Sequence, residues 1–238
     1  MKKIYLKDIA QNLGLSKTTV SFVLNGKGDE NKISLNTQNK ILKYANKHNY
    51  KPNQLARGLS RGKTETLGLI IPNISDMFYA KIAGRIEKKA KEFGYTVVFS
   101  SSNENAADEK KLIQSMLNRQ VDGLIIASTQ QNQIDIQNLK SANFPFVLID
   151  RHYPDNETNF VIVDNFNGTK KITQHLIKNG KKKIGFITIK NSLDAMEQRL
   201  LGYKEALKSS DLEPKSNYIK QLDHIEYQKE MKQTIYDL

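Results

Sequence analysis

The feature that most constrains the fold is a series of short apolar runs that alternate with helical segments. Residues 66–72 read TLGLIIP, and similar runs occur as VDGLIIA at 121–127 and FPFVLID at 144–150. Segments with helical periodicity, such as FYAKIAGRIEKKAKEFGY, lie between them. Because strands that are apolar along their whole length are buried on both faces, this order predicts a parallel sheet flanked by helices. We place this α/β domain at residues 64–238.

A second set of alternating segments begins at NFVIVD, residues 159–164, and continues through FNGTKKITQHLIKNG and KKIGFIT. The pattern predicts a second group of strands and helices from about residue 161 onward. We expect Gly94, Gly180 and Gly202 at helix ends or at points of close packing.

Residues 1–51 have the pattern of a small all-α module instead. Gly14 separates two short helical segments and can adopt the positive φ of a tight turn. Ser16 is a suitable N-cap for the second helix, and Ser34 is a suitable N-cap for a third. The residues expected to face inward are Leu6, Ile9, Ala10, Leu13, Val20, Val23, Leu24, Leu35, Ile41, Leu42 and Ala45. This arrangement is typical of a helix-turn-helix module.

The net charge of +12 is concentrated in this first quarter of the chain. Residues 1–63 hold 13 Lys and Arg against 3 Asp and Glu, whereas residues 64–238 hold 24 against 22. A general preference for lysine would charge the whole chain evenly, and it does not. A basic module joined to a nearly neutral body indicates nucleic-acid binding.

The second helix carries the residues that we expect to contact DNA bases. Lys17 can donate to guanine, Thr18 can contact either base edge, and Phe22 can pack on a thymine methyl group. Phe22 could instead belong to the core of a plain three-helix bundle, although it lies off the apolar face. Phosphate contacts are expected from Ser16, Thr19, Ser21 and Asn25.

The carboxyl ends of the predicted strands carry polar and aromatic side chains suited to a small polar metabolite. The alternative is that most of them are helix caps or other structural residues; Asp76 and Asp164 stand where N-caps are expected. The candidate effector-binding residues are Asn73, Phe78, Tyr79, Ser102, Asp150, Arg151, Asp164 and Arg199.

Several classes of protein are disfavoured by composition. The chain has no cysteine, and its start, MKKIYLKDIAQ, lacks the apolar run of a signal peptide. The four histidines are scattered, and no nucleophile stands beside a base. We therefore expect a soluble cytoplasmic protein that is not an enzyme, binds no metal or cofactor and does not enter a membrane.

The motifs together resemble LacI/GalR-family transcriptional regulators. The resemblance rests on LKDIAQNLGLSKTTVSFVLNGKG at 6–28 and NYKPNQLARGL at 49–59, and continues through RQVDGLIIAS, FPFVLIDR, VIVDNFNG and EQRLLGYKEAL. It implies an N-terminal helix-turn-helix module followed by a periplasmic-binding-protein-like α/β domain with two parallel-sheet lobes, the first at about 64–160 and a partial second lobe at about 161–238. It also implies that Phe78, Tyr79, Asp150, Arg151, Asp164 and Arg199 line or border an effector cleft.

The resemblance assigns residues 52–63 to a hinge helix that pairs across a dimer axis. Leu59 would insert into the minor groove, while Asn53 and Arg57 would contact the DNA backbone. A plain linker is the alternative. The loop GKGDENK, residues 26–32, is a few residues longer than in well-known members, so its DNA contacts are not carried over.

Family members usually continue well beyond the length of this chain. We therefore expect a truncated regulator whose second lobe is incomplete, with exposed sheet edges and uncovered apolar faces. The predicted function is repression at a near-palindromic double-stranded DNA operator, controlled by a sugar or related small metabolite and exerted as a homodimer if the truncation permits. The alternatives are a fragment that does not function or respond to effector, and a sugar-binding protein of the same fold.

Overall fold

The computed structural model describes residues 4–51, 58, 62–190, 193–222 and 227–237. The chain divides into two compact units, Met1–Thr64 and Glu65–Leu238. The helices described in the first unit are α1 (Leu6–Leu13), α2 (Lys17–Leu24) and α3 (Leu35–Lys47). The described elements of the second unit are β1 (Thr66–Ile71), α4 (Met77–Glu92), β2 (Thr96–Ser101), α5 (Ala106–Asn118), β3 (Gly123–Ile126), α6 (Gln133–Ser141), β4 (Phe146–Ile149), β5 (Phe160–Val161), α7 (Asn165–Lys178), β6 (Phe186–Ile189), α8 (Asp194–Lys208), β7 (Ile219–Leu222) and α9 (Tyr227–Tyr236).

The first unit is a helix-turn-helix module with a third helix that completes its core. Gly14 has a φ of +63°, so the chain turns sharply between α1 and α2, as predicted. The hydroxyl oxygens of Ser16 and Ser34 accept hydrogen bonds from the amides of Thr19 and Thr37, so both predicted N-caps are confirmed. The buried core consists of Ile9, Ala10, Val20, Val23, Ile41 and Ala45.

Two residues predicted to face this core do not. Leu35 is 71% exposed and Leu42 is 43% exposed. The buried face of α3 is formed by Ile41 and Ala45, which are four residues apart and therefore lie one above the other. Leu42 is rotated about 100° from Ile41 around the helix, and Leu35 also lies off this face. An apolar residue that does not lie on the buried face of a helix remains exposed to solvent.

The main sheet of the second unit is parallel, in the order β2-β1-β3-β4-β5. Alternate residues of β1 enter different cores. Leu69 and Ile71 pack with Tyr79 and Ala83 of α4. Ile70 packs on the other face, in a cluster that includes Ile113, Met116, Ile136 and Leu139 of α5 and α6. The sheet is thus covered on both faces, as the continuous apolar strands predicted.

The segment NFVIVD belongs to this sheet, not to a second set of strands as predicted. Only Phe160 and Val161 form a strand, and they pair with Leu148 and Ile149 at the sheet edge. Residues 160–163 are all exposed. An apolar run of this length predicts a strand but does not reveal which sheet it joins, because both sheets are parallel.

A two-stranded parallel sheet of β6 and β7 follows, and α7 and α8 pack closely beside it. Gly202 of α8 permits this closeness, because a Cβ there would overlap the carbonyl oxygen of Phe166 in α7. Tyr203 is fully buried beside it, and its hydroxyl donates to the carbonyl oxygen of Ile184 at 2.7 Å.

Apolar side chains remain exposed at the edge of the first sheet and on α7. They include Val161 and Val163 beside the sheet edge and Ile172 and Leu176 one helical turn apart on α7. The expected uncovered apolar surface is therefore present. None of the helices in the described ranges combines the length and apolarity required to cross a membrane.

Candidate functional sites

The first candidate site is the N-terminal end of α2. Lys17 and Thr18 are both exposed there, at the first two positions of the helix. Ser16 and Thr19 form the cap that starts the helix, with their hydroxyl oxygens 2.8 Å apart. The cap therefore fixes the helix start from which the two exposed side chains project. A cationic donor and a hydroxyl at this position suit base edges and phosphates.

Further along α2, the predicted contact residues divide into two kinds. Phe22 is half-buried and lies outside the cluster that forms the core of the module. The side-chain amide of Asn25 donates to the carbonyl oxygen of Ser21 at 2.8 Å, so these two residues contact each other. Both are only partly exposed. Their phosphate contacts remain a prediction, as does the base contact of Phe22.

The remaining predicted DNA-contact residues are Asn53, Arg57 and Leu59. All three lie outside the described residues. The hinge helix therefore remains a sequence-based prediction.

The second candidate site lies at the carboxyl end of the first sheet. The hydroxyl of Tyr79 donates to the Asp150 carboxylate at 2.7 Å. Burial is the main cause that raises the pKa of Tyr79, so the phenol stays protonated and acts as the donor. Phe78 is exposed beside it, with ring centroids 5.0 Å apart in an edge-to-face arrangement. The site thus joins an aromatic surface to a carboxylate.

Arg151 lies at the same end of the sheet, bound to a residue that the sequence analysis missed. Its NH1 and NH2 groups donate to the two carboxylate oxygens of Glu104, each at 2.7 Å. NH1 also donates to the carbonyl oxygen of Ser128. Burial works to lower the pKa of Arg151, but the hydrogen bonds to Glu104 and the charge interactions with Tyr79, Glu104 and Asp150 together raise it above its ordinary value. Arg151 therefore orders the loops and remains charged.

A buried hydrogen-bond cluster, formed by Glu109, Ser128 and Tyr153, supports these loops. Ser128 donates to one carboxylate oxygen of Glu109, and the amide of Thr129 donates to the other. The Tyr153 hydroxyl lies 2.9 Å from the Ser128 hydroxyl and accepts from the amide of Asn132. Glu109 lies four residues before the buried Ile113 on α5, a spacing that places it on the buried face. This spacing could have identified Glu109 from the sequence as a buried acidic residue.

Two predicted effector residues have structural roles instead of open contacts. Ser102 is fully buried, and its hydroxyl faces the carbonyl oxygen of Ile71. It is not brought to the surface with the others, because it follows β2 at an inward position. The side-chain oxygen of Asn73 accepts from the amide of Ser75, which closes the turn after β1.

Asp164 and Arg199 lie on the helices beside the second sheet. Asp164 caps α7 by accepting from the amide of Asn167 at 3.0 Å, as its position predicted. The side-chain and backbone hydrogen bonds from Asn167 hold the pKa of Asp164 below its ordinary value. The Nε of Arg199 donates to the side-chain oxygen of Asn165 at 2.7 Å. Arg199 is partly exposed.

The structure thus brings Phe78, Tyr79, Asp150 and Arg151 together with the unpredicted Glu104. A groove of about 1040 Å³ lies elsewhere, between α5 and α6, and none of the predicted effector residues lines it. We place the candidate effector site at the carboxyl end of the sheet because the interacting polar and aromatic groups converge there.

Two family models match the two units. Residues 5–53 match the bacterial regulatory proteins of the lacI family, and residues 64–236 match the periplasmic binding proteins and sugar binding domain of the LacI family. The chain belongs to the LacI family. The predicted membership and the predicted fold class are both confirmed.

Three LacI-family proteins illustrate the similarity. Catabolite control protein A of Priestia megaterium is 34% identical over 223 residues, which cover 93% of this chain and 66% of that protein. The sucrose operon repressor of Klebsiella pneumoniae is 32% identical over 206 residues, which cover 87% and 61%. The lac repressor dimer bound to operator and the anti-inducer ONPF shares the fold, with a TM-score of 0.84, 24% identity and coverage of 99% and 70%.

The chain spans about two thirds of the length of the curated LacI-family relatives that it matches.

Proposed function

We propose that the protein is a sequence-specific DNA-binding transcriptional regulator, a repressor controlled by a small sugar or related metabolite. The observation that carries the proposal is the capped N-terminus of α2, where Lys17 and Thr18 are exposed on a basic helix-turn-helix module. In such modules the second helix enters the major groove of DNA. The partners would be a near-palindromic operator and a second copy of the chain, in the cytoplasm.

The effector part of the proposal rests on the site at the carboxyl end of the first sheet. Asp150 offers an acceptor, Arg151 and Tyr79 hold it in place, and Phe78 offers an apolar face. Carboxylates beside aromatic rings suit the hydroxyl groups and apolar faces of sugars. A relative named for the sucrose operon supports the same class. The polar contacts described here order loops and build no nucleophile–base pair, so we propose binding without catalysis.

The DNA-binding test begins by selecting tight-binding duplexes from a random double-stranded library with the full chain. Fluorescence anisotropy then compares the parent with a Lys17→Ala/Thr18→Ala variant on the selected duplex. Each lost base contact is expected to cost about 1–3 kcal/mol of discrimination. Affinity for the parent should also fall steeply with salt, because phosphate contacts release counterions.

The control is Lys88→Ala, which removes one exposed positive charge from the second unit. It should leave the affinity for the selected duplex unchanged. Selection of the same duplex with equal affinity by the Lys17→Ala/Thr18→Ala variant would overturn the proposed reading of DNA. Adding sucrose to the complex tests the effector part with a defined sugar. If the parent protein binds sugar but selects no particular duplex, the alternative of a sugar-binding protein would be favoured.

A further inference from the structure

Gln130 occupies a constrained position in the loop after β3. Its φ is +60°, in the left-handed region that residues other than glycine rarely adopt. Its backbone amide donates to the hydroxyl of Ser128 at 3.0 Å, and Ser128 belongs to the buried hydrogen-bond cluster. Such a backbone conformation persists where the surroundings determine it. The buried cluster therefore fixes the direction in which the Gln130 side chain leaves the loop.

The side-chain amide of Gln130 joins two separate parts of the second unit. Its nitrogen donates to the carbonyl oxygen of His152, in the loop after β4. Its oxygen accepts from the backbone amide of Asp194 at 3.3 Å. Asp194 is the first residue of α8, and the preceding Leu193 has no polar side-chain atom that could cap the helix. Gln130 thus supplies an acceptor to the start of α8 from the first sheet.

The helix held by Gln130 carries Arg199. Arg199 is bound to Asn165 of α7, and α7 packs against α8 without space for a side chain at Gly202. The two helices therefore move together. His152, the other partner of Gln130, directly follows Arg151. Gln130 consequently connects the loop of Arg151 to the body that carries Arg199.

We propose that Gln130 is a positioning residue that latches the start of α8 to the loops after β3 and β4. By doing so it sets the separation between the loop that carries Arg151 and the helix that carries Arg199. The role of these arginines as effector residues rests on the proposed function, whereas the latch is a property of the protein alone. When the latch opens, α7 and α8 move away from the first sheet and the site loses its shape.

The first test is hydrogen–deuterium exchange of the full chain without DNA or sugar. Gln130→Asn keeps the amide and tolerates the left-handed backbone, but it is shorter by one bond of about 1.5 Å and cannot reach both partners. The first turn of α8 should exchange roughly two- to tenfold faster, the effect of one lost hydrogen bond. The matched control is Gln131→Asn, the same change at an exposed neighbour.

A second variant guards against a general loss of structure. Gln130→Glu keeps an oxygen acceptor at the start of α8, where negative charge is also favourable, so the first turn of α8 should remain protected. Its carboxylate cannot donate to the carbonyl oxygen of His152, so this variant breaks only that half of the latch. Faster exchange in both Gln130→Asn and Gln130→Glu, or in neither, would overturn the latch. If the faster exchange in Gln130→Asn were confined to the loop of residues 127–132, the latch would be overturned as well.

The second test measures the separation that the latch is proposed to set. The chain has no cysteine, so spin labels can be attached at Ser141→Cys on α6 and Lys208→Cys on α8. Double electron–electron resonance should show a longer mean distance or a broader distance distribution between the labels with Gln130→Asn. The distribution should be unchanged with Gln131→Asn. Identical distributions for both would contradict the proposal. Failure of DNA binding in the separate anisotropy assay would leave this result intact.

Discussion

Single acidic side chains organise the candidate effector site, and burial decides how much each contributes. Glu104 holds both terminal nitrogens of Arg151, whose side chain is only 8% exposed. Glu92 forms an ion pair with Lys89 at the same N–O distance of 2.7 Å, but both side chains are largely exposed. The Glu104–Arg151 pair is buried and bidentate, whereas the Glu92–Lys89 pair is exposed and has one contact of the same length, so the comparison measures what burial and the second hydrogen bond add together.

We predict that Glu104→Ala lowers the free energy of unfolding by about 2–3 kcal/mol, because it leaves a buried guanidinium without its partner. Glu92→Ala should change it by less than about 1 kcal/mol, since solvent screens the exposed pair. Urea denaturation followed by circular dichroism measures both. Equal effects of the two substitutions would show that burial does not strengthen the Glu104–Arg151 pair.

The sequence predicted the residues of this site better than it predicted their partners. Asp150, Arg151 and Tyr79 were found because they follow or adjoin strand ends, and the structure brings them together. Glu104 was missed because its partner lies 47 residues away, and charge alone does not identify which distant residue it meets. The position of an acidic residue on the buried face of a helix, as at Glu109, indicates a buried polar contact, whereas its charge alone does not.

Two helical glycines show where helices of the second unit are closely packed and where they are not. Gly202 in α8 faces the backbone of α7, so a Cβ there would overlap the carbonyl oxygen of Phe166. Gly84 in the middle of α4 has open space where its Cβ would stand. Alanine is favoured over glycine by about 1 kcal/mol in a helix interior, so the same substitution should have opposite effects at these positions.

Gly84→Ala is expected to raise the free energy of unfolding by about 0.5–1 kcal/mol. Gly202→Ala should lower it by about 1–3 kcal/mol, because α7 and α8 must move apart to accommodate the methyl group. Thermal and urea unfolding of the full chain measure both changes. A stabilising effect of Gly202→Ala would mean that the two helices are less tightly packed than described.

The elements themselves were largely predictable, and their partners were less so. The strands β1, β3 and β4 are short apolar runs between helical segments, and this pattern identified them. The place of β5 in the first sheet was not predictable, because two paired residues at an edge contribute little periodicity. Helix caps were predictable at Ser16, Ser34 and Asp164 because a cap needs only local sequence.

The excess positive charge of the molecule and its exposed apolar sheet edge lie in different units. The excess positive charge lies in residues 1–63, whereas the exposed run of residues 160–163 lies in the nearly neutral second unit. Val161 is 66% exposed at the edge of the first sheet. Exposed edge strands with apolar side chains pair readily with other chains, and a nearby charge prevents such pairing. Residues 159–163 carry no charged side chain, so the edge strand itself has none of the charges that oppose such pairing.

We predict that Val161→Lys reduces self-association in sedimentation velocity over a concentration series, since a lysine at the edge opposes both apolar contact and strand pairing. Asn159→Lys is the matched control, because it adds the same charge two residues away at another exposed position. The carbonyl oxygens of residues 159 and 161 both accept hydrogen bonds from the loop and strand of β4, and neither substitution removes these bonds. Thermal unfolding should therefore be nearly unchanged in both variants.

Two outcomes would contradict the prediction. If Val161→Lys associates as strongly as the parent, the apolar edge is not the surface through which the chains associate. If Asn159→Lys suppresses association equally, the added charge and not its position at the edge is responsible.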